Sequence, residues 1–292
     1  MAENAITSNY EHKPFALYGW IGLGLVVIFW TINWSFNGAR TFWAFFPLWL
    51  GYCLVVDAIN LWRSGTSLIK RSRRNFVGLF LVSIPLWWLF ELINWRVQSW
   101  HYLGRDIINN WQYLLISSIN FSIVIPAVFS TAELVCSFKF IRRTRAWYII
   151  RPNRATTLAF FSVGWLMLGL LLKWPLYFFP FVWISVYFII EPINVWLGHR
   201  SLADYTQKGE WRPVLSLFLG AIITGFFWEM WNYFSYPKWV YTIPFVNNFH
   251  LFEMPILGYG GYLPFACELF AIYHLITGLL GNKRSRYVKI EG

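Results

Sequence analysis

Four times within an apolar stretch of this chain a carboxylic acid is followed three residues later by asparagine: Asp57 with Asn60, Glu91 with Asn94, Glu191 with Asn194, and Glu229 with Asn232. On an α-helix that spacing puts both side chains on one face, so each pair presents a proton-exchanging group beside a carboxamide. Every pair lies in an apolar stretch of membrane-spanning length. A charged side chain at bilayer depth costs roughly 2.5–3.5 kcal/mol on insertion scales, so such acids face a protein interior or a water-filled cavity. A single buried acid near a helix end is often a structural hydrogen-bond partner, but four in two matched pairs point to a polar site. Such a set suits acid–base chemistry or the passage of protons or cations.

Depth separates the pairs. Glu91 and Glu229 lie about sixteen residues into their helices, in the outer half at a rise of about 1.5 Å per residue. Asp57 and Glu191 lie near the cytoplasmic ends of theirs, where an acid can reach water. Trp228, Trp231 and Tyr233 surround Glu229, and Trp239, Tyr241, Glu253, the run from Gly258 to Gly261, Pro264 and Glu268 follow. Glycine and proline at that density predict a broken or closely approached helix, either lining a cavity or forming a packing seam. An aromatic wall around a carboxylic acid suits acid-initiated chemistry on a polyene: the acid supplies a proton, and ring faces stabilise the resulting cation by about 1–2 kcal/mol each when desolvated.

Of 292 residues, 58% are hydrophobic, 22% aromatic and 13% charged, and the mean hydropathy is +0.47. Those values exclude an ordinary soluble domain. The net charge of +11 sits in short runs between apolar segments, which fits the positive-inside rule and gives no reason to expect nucleic acid as a partner. Cys53, Cys136 and Cys267 all fall within apolar segments and read as small packing residues. Of five histidines only His274 lies well inside a span, as a core residue rather than a ligand. No metal site and no cofactor is therefore expected.

Apolar runs at about 16–35, 42–62, 76–97, 111–138, 156–175, 177–197, 213–236 and 254–281 predict about eight transmembrane helices, hence an all-α polytopic membrane bundle. The polar start, Met1 to Lys13, lacks the features of a cleaved signal, so the first run is kept as a helix. The basic loops 63–74, 139–154 and 199–212 and the tail 283–289 fall on one side, which places both termini in the cytoplasm of a cell (inner) membrane. The chain also repeats itself: Asp57, Glu91 and Glu133 match Glu191, Glu229 and Glu268 at separations of 134, 138 and 135 residues. Two parallel four-helix repeats follow, 1–140 and 141–292, forming one membrane domain with the shared cavity between them.

The segment holding Trp228-Glu229, Trp239-x-Tyr241, Pro244, Glu253-x-Pro255, Gly258 and Glu268 resembles small membrane-embedded carotenoid cyclases and hydratases. The likeness covers about forty residues of the second half only. It departs from the family in lacking an adjacent Glu-Glu pair, since Glu253 and Glu268 stand apart. The resemblance implies an isoprenoid pocket, with Glu229 and Glu268 as acid and base and Glu253 as support.

The residues themselves point to an integral-membrane enzyme acting on an isoprenoid or other membrane lipid by acid–base catalysis, and the resemblance implies a lyase or isomerase of cyclase or hydratase type. Glu229 donates the proton and Asn232 orients it; Glu268 or Glu91 accepts a proton, with Asn94 beside Glu91. Trp228, Trp231, Tyr233, Trp239 and Tyr241 face the substrate, together with the inner pairs Asp57 and Asn60, Glu191 and Asn194. Two readings compete: a proton- or cation-coupled transporter or channel, and a non-catalytic partner subunit of a membrane complex. A homo-oligomer is compatible with each.

Overall fold

The computed structural model describes residues 14–36, 38, 41–144, 146–246 and 248–291; the polar start, 1–13, and its placement lie outside them. The long helices follow the apolar runs: α1 (Leu17–Ser35), α2 (Phe45–Ser64), then a short α3 (Leu68–Arg71), and α4 (Arg73–Val97). Strand β1 (Trp100–Leu103) leads to α5 (Asn110–Phe121), α6 (Val124–Cys136) and a single turn, α7 (Lys139–Arg142). Next come α8 (Arg154–Lys173), α9 (Pro175–Phe178), α10 (Ser185–Leu197), α11 (Ala203–Thr206) and α12 (Arg212–Tyr233). Strands β2 (Lys238–Tyr241), β3 (His250–Leu251) and β4 (Met254–Pro255) precede α13 (Tyr262–Leu279).

Polar residues start several helices where the sequence turns apolar. Ser72 accepts from Asn75 N at 3.2 Å to open α4. Asn109 and Gln112 form a capping box at α5, and Asn153 accepts from Thr156 N at 2.9 Å at α8. Each cap satisfies backbone donors that the helix itself leaves free.

Among the described residues seven helices are long and apolar enough to cross a membrane, α5 and α6 counting as one span. An eighth follows if Pro175–Trp183 and Ser185–Leu197, which meet at 41°, form a single broken span. Trp95, Leu81 and Leu166 are more than half exposed on the bundle's outside, the surface that lipid covers in such a protein. Inside, Trp49, Trp231, Phe90, Phe129, Phe265 and Phe270 are fully buried and pack edge against face, the arrangement that ring quadrupoles favour. The chain is thus a multi-pass, all-α membrane protein. Of two two-stranded ribbons among the described residues, β1 antiparallel to β2 lies at the end of the bundle opposite the basic loops, and β3 pairs with β4.

The basic end is closed by the tail. Val288 and Ile290 are wholly buried. Tyr287 donates its hydroxyl to Leu68 O at 2.9 Å, and Lys289 N donates to Glu133 Oε1 at 2.7 Å. Arg71 is ion-paired with the same carboxylate. Arg200, at the start of the 200–211 loop, holds the tail from the other side through Ser285 O and Val288 O.

Candidate functional site

The helices α4 and α12 end alike, and their acid–asparagine pairs explain why. Past the end of α4, Asn94 Oδ1 accepts from Ser99 N at 2.9 Å and Trp100 N at 3.3 Å, while its Nδ2 donates to Trp100 O at 2.8 Å. At α12, Asn232 Oδ1 accepts from Trp239 N at 2.9 Å and its Nδ2 donates to Trp239 O at 2.7 Å. Each carboxamide thereby ties the helix end to the start of a strand. Both asparagines are spent on this closure, so Asn232 does not orient Glu229 and Asn94 does not hold Glu91. Sequence spacing places the groups on one face, but the backbone amides lie nearer.

The closure returns each strand's aromatics to the acid one turn earlier. Glu91 Oε1 accepts from Trp87 Nε1 at 2.9 Å, Trp100 Nε1 at 3.0 Å and Tyr102 OH at 2.5 Å. Glu229 Oε1 accepts from Tyr241 OH at 2.6 Å and Tyr262 OH at 2.7 Å, and Trp239 Nε1 donates to Tyr241 OH at 2.9 Å. The strand register sets Trp100 opposite Tyr241 and Tyr102 opposite Trp239, so the two acid systems interlock across one ribbon. Burial first, and then the neighbouring Glu91 carboxylate, push the Tyr102 hydroxyl well above the ordinary tyrosine range. Burial and Glu229 do the same to Tyr241. Both phenols therefore stay protonated and remain donors.

A cavity of about 140 Å³ lies against this ribbon. Its wall takes Trp87, Trp100 and Tyr102 from the first half, Trp183 before α10, and Trp228, Glu229, Trp239, Tyr241, Tyr262 and Phe265 from the second. Glu229 is fully buried, and its Oε2 has no hydrogen-bond partner among the described residues. A residue of the aromatic wall is thus left with a lone acceptor, or a lone O–H when the acid is protonated. Arg105 and Lys238 stand on the same lining; the first lies over the Tyr113 ring and the second pairs with Glu253.

Other candidates lie elsewhere. Trp231 packs against Trp49 and Trp30 in the core, Tyr233 is partly exposed beside Lys238, and neither lines the cavity. Glu268 accepts from Val186 N at 3.2 Å and Tyr187 N at 3.4 Å, satisfying the first turn of α10, so it does not join Glu229 as a base. Asp57 accepts from Ile69 N at 3.1 Å and Glu191 from Ala203 N at 2.8 Å, each binding a basic-side loop. Asn60 and Asn194 donate to Ser130 O and Ala271 O, both at 2.8 Å, joining neighbouring helices. His274 is buried against Phe270 and Tyr273, with neither ring nitrogen hydrogen-bonded among the described residues.

Tyr262 and Trp87 were not singled out by the sequence, although each carried a signal. Trp87 precedes Glu91 by four, on the same helical face. Gly225 precedes Glu229 by four, and the Tyr262 ring lies over it: a Cβ there would stand 2.6 Å from the ring. Gly261 is likewise packed, its absent Cβ replaced by Trp183 at 2.9 Å. Gly225→Ala is expected to displace Tyr262 and cost about 1–3 kcal/mol by overpacking. In a Tyr262→Ala background the same change should cost little, a coupling that a double-mutant cycle of unfolding midpoints measures. Asn232→Ala should cost about 2 kcal/mol, since both bonds to Trp239 vanish and a buried amide is left unpaired; detergent unfolding of the purified protein checks it.

Fold and site together define a polytopic α-helical membrane protein with buried carboxylates, one of them at an aromatic cavity. No family model, curated protein or solved structure matches the chain.

Proposed function

We propose that the protein is an integral membrane enzyme, of lyase or isomerase type, performing acid–base chemistry on an isoprenoid or other unsaturated membrane lipid. The observation that carries this reading is the fully buried Glu229 on an aromatic cavity wall, held through Oε1 by two tyrosines while Oε2 is left unpaired. In the first step the Glu229 O–H bond breaks as a C–H bond forms at one alkene carbon, leaving the cation on the other. The faces of Trp228, Trp239 and Trp87 stabilise that cation. Loss of a proton from a neighbouring carbon back to the Glu229 carboxylate gives an isomerised or cyclised product and restores the acid. Glu91, its Oε1 held by three donors, is not on the cavity wall and takes no part in the proton transfer.

The bundle in this reading consists of two parallel four-helix repeats, 1–140 and 141–292, with the basic loops and both termini in the cytoplasm. The matched closures by Asn94 and Asn232, and the matched loop contacts of Asp57 and Glu191, support the repeat. The same contacts weigh against a proton or cation pathway, since the inner acids are tied to loop amides. Lipid mass profiles of membranes from cells with and without the protein test the enzyme reading. A product that appears only with the active chain supports it; identical profiles, with proton flux in reconstituted liposomes, would replace it by the transporter.

A further inference from the structure

The two inner acids are bound alike on one oxygen and differently on the other. Asp57 Oδ1 accepts from Ile69 N, and Glu191 Oε1 accepts from Ala203 N, in each case twelve residues on. The second oxygen of Asp57 accepts from Tyr18 OH at 2.8 Å, across the pair α1 and α2. The second oxygen of Glu191, a residue only 4% exposed, has no partner among the described residues. Glu191 is also part of the wall of a second cavity, about 240 Å³, bounded by α8, α10 and α12.

That cavity is apolar apart from Glu191 and a few hydroxyls, of which those of Thr156 and Thr157 are occupied. Thr156 Oγ1 bonds Asn153 Oδ1, and Thr157 Oγ1 bonds the carbonyls of Asn153 and Arg154. The approach to α8 contributes Pro152, which carries no hydroxyl. A plain hydrocarbon chain would leave the Glu191 oxygen unpaired, which is costly.

We infer that this cavity binds an apolar molecule with a hydroxyl head, a long-chain or isoprenoid alcohol, whose O–H donates to Glu191 Oε2 as Tyr18 donates to Asp57. The site is separate from the Glu229 cavity and does not depend on its chemistry. It is tested on the full chain in lipid nanodiscs with dodecan-1-ol carrying a mid-chain diazirine, irradiated and mapped by peptide. Labelling is expected on the stretches around Phe188 and Phe218, and unlabelled dodecan-1-ol should compete at least about tenfold better than its methyl ether, which has no proton to donate. In Glu191→Gln the carboxamide oxygen keeps the Ala203 bond and its NH2 replaces the acceptor, so that preference should vanish. Thr156→Trp, which fills the cavity from α8 and leaves the Glu191 carboxyl in place, should abolish the label. Equal competition by alcohol and ether, or labelling confined to other peptides, overturns the assignment.

Discussion

Glu229→Gln is expected to lower formation of the lipid product by about 10³-fold, within the range that a general acid contributes. Glutamine has nearly the same shape, and its carbonyl oxygen can still accept from Tyr241 and Tyr262, now at 2.6 and 2.7 Å from Oε1. What disappears is the acidic proton, since an amide N–H does not protonate an alkene. Stability should hardly change, because no partner is orphaned: Oε2 has none to lose. Glu229→Asp keeps the acid but withdraws it by one methylene, and a displacement of about 1 Å is enough to cost on the order of 10²-fold. Product yield per folded protein, measured by lipid mass spectrometry beside fluorescence-detected size exclusion, separates chemistry from folding. Full yield from Glu229→Gln would end the assigned role. Loss of yield with an unfolded elution profile would show instead that the Tyr241–Tyr262 clasp needs the carboxylate for structure.

The contrast between these two acid pairs marks how far the sequence could be read. Apolar runs of spanning length disclosed the bundle, because bilayer thickness fixes the length of a span. The bent stretch at Ile184 is less legible, since the hydropathy that predicts a span does not predict its direction. The acid–asparagine spacing correctly reported a shared helical face, but a face does not say who stands opposite. At Glu91 and Glu229 the opposite partners are aromatics nine to twelve residues on, carried there by strands too short to stand out among aromatic loops. At Asp57 and Glu191 they are loop amides, so similar motifs do different work. Tyr262 was hidden for a similar reason: its place against Gly225 arises from the packing of α12 and α13, which no local pattern encodes.

Arg200→Met is expected to have the largest effect on stability, about 3–5 kcal/mol, because it leaves two buried tail carbonyls without a donor at about 1–3 kcal/mol each. The guanidinium is 4% exposed and donates four ways: Nε to Tyr205 OH at 2.8 Å, Nη1 to Ser285 O at 3.0 Å and Val288 O at 2.9 Å, and Nη2 to Glu291 Oε1 at 2.8 Å. Methionine fills much of the volume but leaves two tail carbonyls without donors. The tail then has reason to leave, and with it go the burial of Val288 and Ile290 and the Lys289 N–H that Glu133 accepts. Arg200→Lys should fall between, since an ammonium keeps the charge but cannot span the fork of acceptors. Glu291→Gln, whose side chain is 36% exposed, should cost under about 1 kcal/mol because water replaces what it loses. Hydrogen exchange resolves the order of events. Faster exchange in 283–291 ahead of any change in α10 or α13 would show the tail released as a unit. Unchanged exchange there in Arg200→Met would mean that Tyr287 and Glu133 hold it without help from the arginine.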